Sequence, residues 1–177
     1  MTDELLDIVN EKDEVIATAT RSSVHERGLL HRGVHVFLFD DAGRMLVQKR
    51  SAARAQYPSV WDCSVSEHVK AGESYHQAVR RGLLEELGVG DVAVQPLVHF
   101  KMEYGPNDRE ISMLFEGVFN MDKVEFDPVE IEQVEYHSLA ELRSFLKSGE
   151  RPLSYWFEQL LLWALKEPSA LQVLHTY

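Results

Sequence analysis

The chain has 177 residues, 45% of them hydrophobic and 27% charged, a makeup that fits one soluble globular domain spanning residues 1–177. Its formal net charge of −11 argues against non-specific binding to nucleic acid or to a membrane surface, since both want clustered Lys and Arg. An acidic protein repels a polyanionic substrate unless a cation sits at the site, so any diphosphate chemistry here needs a metal for binding as well as for reaction.

One cysteine, Cys63, rules out an internal disulfide. The N-terminal stretch MTDELLDIVNEKDEVIA has no basic region followed by an apolar run of signal length. The longest apolar stretch near the C-terminus, Leu160 to Leu165, is too short to span a bilayer. These features read as a cytoplasmic protein.

In chain order, Glu4–Asn10 and Glu14–Thr20 read as short strands around the turn residues Glu11–Asp13. Arg21–Leu30 is polar and reads as irregular. Gly33–Phe39 is a β-branched and aromatic run ending in the turn signal Asp40–Gly43, and Arg44–Arg50 reads as its hairpin partner. Trp61–Ser66 alternates like a strand, and Glu67–Gly72 reads as a loop. Ser74 and Gln77 fit a capping box that opens a helix to about Leu87, with Gly88 placed to end it. Strands are predicted over Val92–Glu103, Ile111–Phe119 and Gln133–His137. Ser138 and Glu141 form a second capping box for a helix to about Lys147, and Pro152–Glu167 reads as a last helix. Segregated helices around a mixed sheet place the fold in the α+β class, as an α/β/α sandwich.

The chemistry gathers on the segment Glu67–Val89, EHVKAGESYHQAVRRGLLEELGV. Glu85 and Glu86 are adjacent on its helix and point about 100° apart, so both can reach one edge facing a loop. Position 82 shares that face, being three and four residues earlier. Carboxylates grouped there make a hard, oxygen-rich site suited to Mg²⁺, with Mn²⁺ also admitted.

The segment resembles the Nudix box, G-x5-E-x7-R-E-U-x-E-E-x-G-U, where U is a bulky aliphatic. Glu73 falls on the first glutamate and Arg81 on the arginine; Leu83 falls on the aliphatic, Glu85 and Glu86 on the paired glutamates, and Gly88 and Val89 on the ending. The resemblance implies the Nudix-type sandwich, a divalent cation and a small-molecule diphosphate as partner, with residues 67–89 as the box. It also implies that Glu73 and Arg81 support the loop against the helix and are not catalysts.

Two positions depart from that pattern. The opening glycine is Glu67, and the glutamate after the arginine, a metal ligand in the family, is Gly82. Gly in a helix interior costs about 1 kcal/mol relative to Ala. The expectation is that the two departures are one change, in which a side chain removed at 82 leaves room for a carboxylate at 67. The competing reading is a decayed box that binds without turnover.

Beyond the box, the run WDCSVSEHVKAGES at Trp61–Ser74 resembles the isopentenyl diphosphate isomerases, a Nudix-fold family, and similarity of this kind runs from about residue 5 to about residue 165. Those enzymes hold a second metal with three histidines and two acidic residues. His68 falls on one of these histidines, His25 and His31 fall near the others at a spacing one residue short, and Asp108 and Glu110 fall where the acidic pair belongs. Trp156 falls on a tryptophan that lies over the isoprenoid skeleton. The isomerase's essential cysteine is replaced by Ser66, and a hydroxyl is a far poorer acid than a thiol, whose reference pKa is about 8.5. Cys63, three residues away along a strand, is expected on the opposite face.

VHERGLLHRGVHV at Val24–Val36 matches a stretch of isomerase-like Nudix hydrolases. The reading is therefore a Mg²⁺-dependent hydrolase acting on a nucleoside diphosphate derivative or similar small diphosphate, with the isomerase and a non-catalytic binding module as alternatives. Glu85, Glu86 and Glu110 are the candidate catalytic carboxylates, and Glu67, Glu85, Glu86 and His68 the candidate metal ligands. His25, His31, Arg50, Lys70 and Trp156 are candidates for binding substrate, with Arg54 a further phosphate candidate; Arg50, Arg54 and Lys70 read equally as solvent-facing cations. His35 reads as packed or partly exposed on its strand, and His76, His99, His137 and His175 as surface residues. The oligomeric state is left open, a homodimer included.

Overall fold

A computed structural model describes residues 3–54, 56–119 and 124–177. The elements run β1 (Leu5–Val9), β2 (Val15–Thr20), α1 (Arg21–Arg27), β3 (Leu30–Phe39), β4 (Met45–Arg50), β5 (Trp61–Asp62), β6 (Val65–His68), α2 (Tyr75–Leu87), β7 (Val94–Gly105), β8 (Asp108–Val118), β9 (Ile131–His137), α3 (Leu139–Ser148), α4 (Tyr155–Ala164) and β10 (Gln172–Thr176).

Strand β3 organises the sheet. One edge pairs in parallel with β8 along its whole length, and the other is shared in turn by β1, β6 and β4, all antiparallel. The sheet is thus mixed, with a long path β10-β7-β8-β3-β1-β2 and a branch through β4 to β5 and β9. Alternate side chains of β3 feed two cores, as the two-residue period of a strand requires. Val34, Val36 and Leu38 pack with Ala78, Val79, Leu83 and Leu87 of α2. Phe37 packs on the other face with Leu142 of α3 and Phe157, Leu160 and Leu161 of α4. The result is the expected α/β/α sandwich.

Both capping boxes form. The Ser74 side chain accepts from the Gln77 backbone while the Gln77 side chain reaches back, and Ser138 and Glu141 do the same. Gly88 and Gly149 end their helices at positive φ, 69° and 66°.

Three expectations need correction, and one element was not anticipated. Arg21–Arg27, read as irregular, is helix α1, capped by Thr20, whose side chain accepts from Ser23, and closed by Gly28 at φ 61°. Only Val24 of this helix is buried, so it shows no apolar period. The Trp61–Ser66 strand is two strands interrupted at Cys63 and Ser64, and the second continues through Glu67 and His68, which were assigned to a loop. The last helix starts three residues later than expected, after the Ser154 cap, because Leu153 bridges to Trp61 of β5. The tail forms β10 against β7, a strand exposed on both faces and so without an alternating pattern.

No helix among the described residues is long and apolar enough to cross a membrane.

Candidate active site and metal centres

A cavity of about 880 Å³ opens between the end of α2, the strands β6 and β8, and the loop after β4. Glu67, Glu85, Glu86, His68 and Glu110 line it, as do Arg50, Arg54 and Trp156.

On the α2 side, Glu86 is buried. One oxygen, Oε2, accepts from Gln48 Nε2 at 2.6 Å, while Oε1 has no hydrogen-bond partner among the described residues. Burial, reinforced by the charge of Glu67, pushes the Glu86 carboxyl well above the usual carboxylate range. Glu85 stands at the open mouth, its side chain 53% exposed. Glu67 reaches the same face from β6. Gly82 makes that approach possible, because a Cβ there would lie 2.8 Å from Val65 Cγ1 and 3.0 Å from Glu67 Cγ.

Arg81 clamps the surroundings. Its Nε and Nη2 donate to the two oxygens of Glu73 at 2.9 and 3.1 Å, and Nη2 also donates to the His68 carbonyl at 2.7 Å. Nη1 donates to Glu67 Oε2 at 2.8 Å and to Glu85 Oε2 at 3.2 Å. This forked pairing ties the 67–73 segment to α2.

The second cluster is set by strand register. His31 of β3 pairs opposite Glu110 of β8, Gly33 pairs opposite His68 of β6, and His25 comes in from α1. The three imidazole rings stand 5.1–5.2 Å apart. His25 Nδ1 lies 3.6 Å from Asp108, His31 Nε2 lies 3.4 Å from Glu110, and His68 Nε2 lies 3.7 Å from Glu110. Gly33 is required because a Cβ there would lie 2.1 Å from Glu110 Oε2.

Burial drives His68 down to about 3, and burial with the neighbouring His31 lowers His25. Burial and the Glu110 charge lift Asp108 to about 6. Burial also works to raise Glu110, but His31, 3.4 Å away, outweighs it and holds this carboxyl well below the usual range. His31 is raised in turn; burial opposes that, but the contact with Glu110 prevails.

The imidazole cluster fits a cation in two overlapping sets. His25, His31 and His68 offer ligand atoms within 4.8 Å of one another, as do His31, Asp108 and Glu110. Both ring nitrogens of His25, Nε2 of His31 and Oδ1 of Asp108 are buried without a hydrogen-bond partner among the described residues. His31 Nδ1 lies 3.0 Å from the Leu29 carbonyl, so it carries the proton and leaves Nε2 as the ligand. Imidazoles with carboxylates suit a transition metal, whereas the all-carboxylate face of α2 suits Mg²⁺.

His25 and His31, expected to bind substrate, thus lie with His68 and the acidic pair instead of facing the open cavity. Arg50 reaches the cavity wall, but it is 8% exposed and its donors go to the Tyr57 and Gln56 carbonyls and to Asp62. Lys70 pairs with Glu4 at 3.1 Å and lies outside the cavity lining. Arg54 lines the cavity and pairs with Glu130.

Ser66 accepts or donates at 3.0 Å to His35 Nδ1, and His35 Nε2 lies 3.2 Å from the Tyr104 hydroxyl. Cys63 does not point to the opposite face. Its Sγ lies 3.1 Å from Ser66 Oγ, because the strand breaks between them. The thiol is fully buried, and burial pushes it well above its ordinary range. His99 and His137, read as surface residues without partners, pair with Asp13 and Glu135.

Sequence reasoning missed Arg21, Asp62 and Tyr104. Arg21 lines the cavity directly after the Thr20 cap, Asp62 is a buried acceptor, and Tyr104 closes one wall. The pair Thr20–Arg21 at a helix start and the acidic residue inside WDCSVS were the available signals for the first two; Tyr104 had none.

Compared with known proteins, the chain matches the NUDIX domain over residues 29–157. Isopentenyl-diphosphate Delta-isomerase 1 of Aromatoleum aromaticum is 30% identical over 161 residues, covering 89% of this chain and 90% of that protein. An uncharacterized Nudix hydrolase of Streptomyces coelicolor is 42% identical over 102 residues, covering 58% of this chain and 56% of its own length. The crystal structure of DR0079 from Deinococcus radiodurans superposes with a TM-score of 0.75 at 28% identity, covering 89% of this chain and 97% of that one.

Proposed function

The chain belongs to the Nudix family, in the branch that resembles isopentenyl diphosphate isomerase, and from that premise we propose that it is a Mg²⁺-dependent hydrolase of a small diphosphate, such as a nucleoside diphosphate derivative. The observation that carries this reading is Ser66. It stands where the isomerases have their acidic thiol, and its hydroxyl is engaged by His35 at 3.0 Å. A hydroxyl is too weak an acid to protonate an alkene, whereas the carboxylate pair Glu85 and Glu86 that hydrolysis would use is retained on α2.

In this reading Glu85 and Glu86 hold the catalytic cation, and His25, His31, His68, Asp108 and Glu110 hold a second one. Mg²⁺ or Mn²⁺ fits the first position. Divalent cations, when bound, neutralise phosphate charge and make a coordinated water more acidic. Arg54 and Arg21 supply positive charge along the wall for the phosphate oxygens. Trp156 gives the non-phosphate end of the substrate an aromatic surface. Water attacks one phosphorus, the bridging P–O bond breaks, and the leaving phosphate keeps the electron pair. Glu110 is buried and committed to His31, His68 and Ser112, so the water's proton would go to Glu85, which stands half-exposed at the cavity mouth even though Arg81 donates to its Oε2.

The isomerase is the second reading. It is favoured by the histidine and acidic cluster together with Trp156 at the wall, and by a thiol, Cys63, beside Ser66. A Mg²⁺-dependent screen of nucleoside diphosphate derivatives alongside isopentenyl diphosphate separates the two. Release of phosphate or nucleoside monophosphate is expected; interconversion of the isopentenyl isomers without release overturns the hydrolase.

A further inference from the structure

We infer that the carboxylate missing from α2 at position 82 is supplied from strand β6 by Glu67, so that the α2 cation is held by Glu67, Glu85 and Glu86 across two elements. This rests on the reading above only in requiring a cation at that face.

Three observations carry it. Gly82 is buried, and the space a Cβ would take is filled by Val65 Cγ1 at 2.8 Å and Glu67 Cγ at 3.0 Å. The volume given up by the helix is therefore taken by Val65 and by the side chain that brings the carboxylate. Glu86, 6% exposed, has an unpartnered Oε1 in the cavity that Glu67 and Glu85 also line. A buried, half-bonded carboxylate beside two others is a large cost without a cation and a ligand set with one. Lastly, Arg81 Nη1 holds Oε2 of both Glu67 and Glu85, at 2.8 and 3.2 Å, fixing their carboxylates from behind. Hydrogen bonds of this kind orient ligating carboxylates.

The competing role for Glu67 is a counter-ion for Arg81 alone. Glu73 already meets Arg81 through both oxygens, from outside the cavity.

The test is Mn²⁺ binding to the full chain, followed by the electron paramagnetic resonance of free Mn²⁺, with the Glu86→Gln variant used to identify which class of sites belongs to α2. Glu67→Gln should weaken that class by about tenfold or more, and Glu73→Gln, which removes an equally close Arg81 partner, by no more than about threefold. Melting curves check that each variant is folded, and Glu67→Asp, which keeps the charge but shortens the reach, replaces Glu67→Gln if the latter is not. Wild-type affinity in the Glu67 variant overturns the inference, as does an equal loss in Glu73→Gln. Either result leaves hydrolysis by the wild-type protein, measured separately, untouched.

Discussion

Trp156 donates its indole N–H to Asp62 Oδ1 at 2.7 Å. Asp62 is fully buried, and the same carboxylate accepts from Ser154 Oγ at 3.0 Å and from Arg50 Nη1 at 3.2 Å. One side chain on the two-residue strand β5 thus fixes the cap of α4, the aromatic wall and the arginine of β4. Asp62→Asn leaves Arg50 buried without its anion, and breaking a buried pair costs about 3–5 kcal/mol. The expected outcome is a melting point lowered by many degrees. At temperatures where the variant is folded, KM for the diphosphate should rise more than kcat falls, since the wall loosens while the carboxylates of α2 stay in place.

Ser66→Ala separates the chemistry from its surroundings. In the hydrolase reading the Ser66 hydroxyl takes no part in proton transfer, so kcat should stay within about tenfold of wild type. A loss of a hundredfold or more, seen in a steady-state assay, would assign Ser66 to the reaction.

Gly82→Ala inverts the usual helix rule. Alanine in a helix interior ordinarily stabilises by about 1 kcal/mol. Here the new Cβ meets Val65 Cγ1 at 2.8 Å, and overpacking of this kind costs about 1–3 kcal/mol. Denaturant unfolding should show a net loss of stability.

Asp13 provides a pH test away from both the α2 carboxylates and the imidazole cluster. It sits at φ 62° in the β1–β2 turn, pairs with Arg32 at 2.6 Å and with His99 at 3.3 Å, and accepts from the Tyr75 hydroxyl at 3.0 Å. Burial pushes its carboxyl up, but the bonds from His99 and Arg32 outweigh burial and hold it below its ordinary value. A lowered folded-state pKa means that the stabilisation is present above the unfolded value near 3.9 and is lost as pH falls through the folded value. Asp13→Asn should therefore cost about 1–3 kcal/mol at pH 7, with the gap to wild type closing as pH falls below the unfolded value near 3.9 and through the lower folded value.

Chelation should lower the melting point of the wild-type protein and Mn²⁺ should restore it, a cation held at a hundred times its Kd stabilising by about 2.7 kcal/mol. Gly33→Ala places a Cβ 2.1 Å from Glu110 Oε2 and forces that carboxylate out of the imidazole cluster. The variant should keep part of the metal-dependent gain, from the α2 side, and lose the rest. A full wild-type gain in calorimetry would show that Glu110 is not a ligand.

The elements with local signatures were legible in the sequence. Ser74 with Gln77 and Ser138 with Glu141 announce their helices, and the β-branched run after Gly33 announces the central strand. Helix α1 and strand β10 were not legible, since one buries a single residue and the other none, and a pattern of burial cannot show without burial. At the site, the paired glutamates and the departures at 67 and 82 could be read from spacing. The roles of Arg50 and His31 could not. Arg50 is used up by carbonyls of a loop that carries no sequence signal, and His31 meets Glu110 only through parallel pairing of strands nearly eighty residues apart.

That pairing makes the imidazole cluster a readout of the fold's register. His31 opposite Glu110 and Gly33 opposite His68 are relations between strands, not within one. Slip β3 by one residue and Arg32 replaces His31 opposite Glu110, while every side chain of the strand changes face. Such a chain would have the same composition and much the same secondary structure, yet no three-histidine cluster. Pairings this distant in sequence close late and slowly. A molecule able to assemble the cluster has therefore already finished its hardest folding step, and ligand-stabilised conformers are drawn from correctly threaded chains alone.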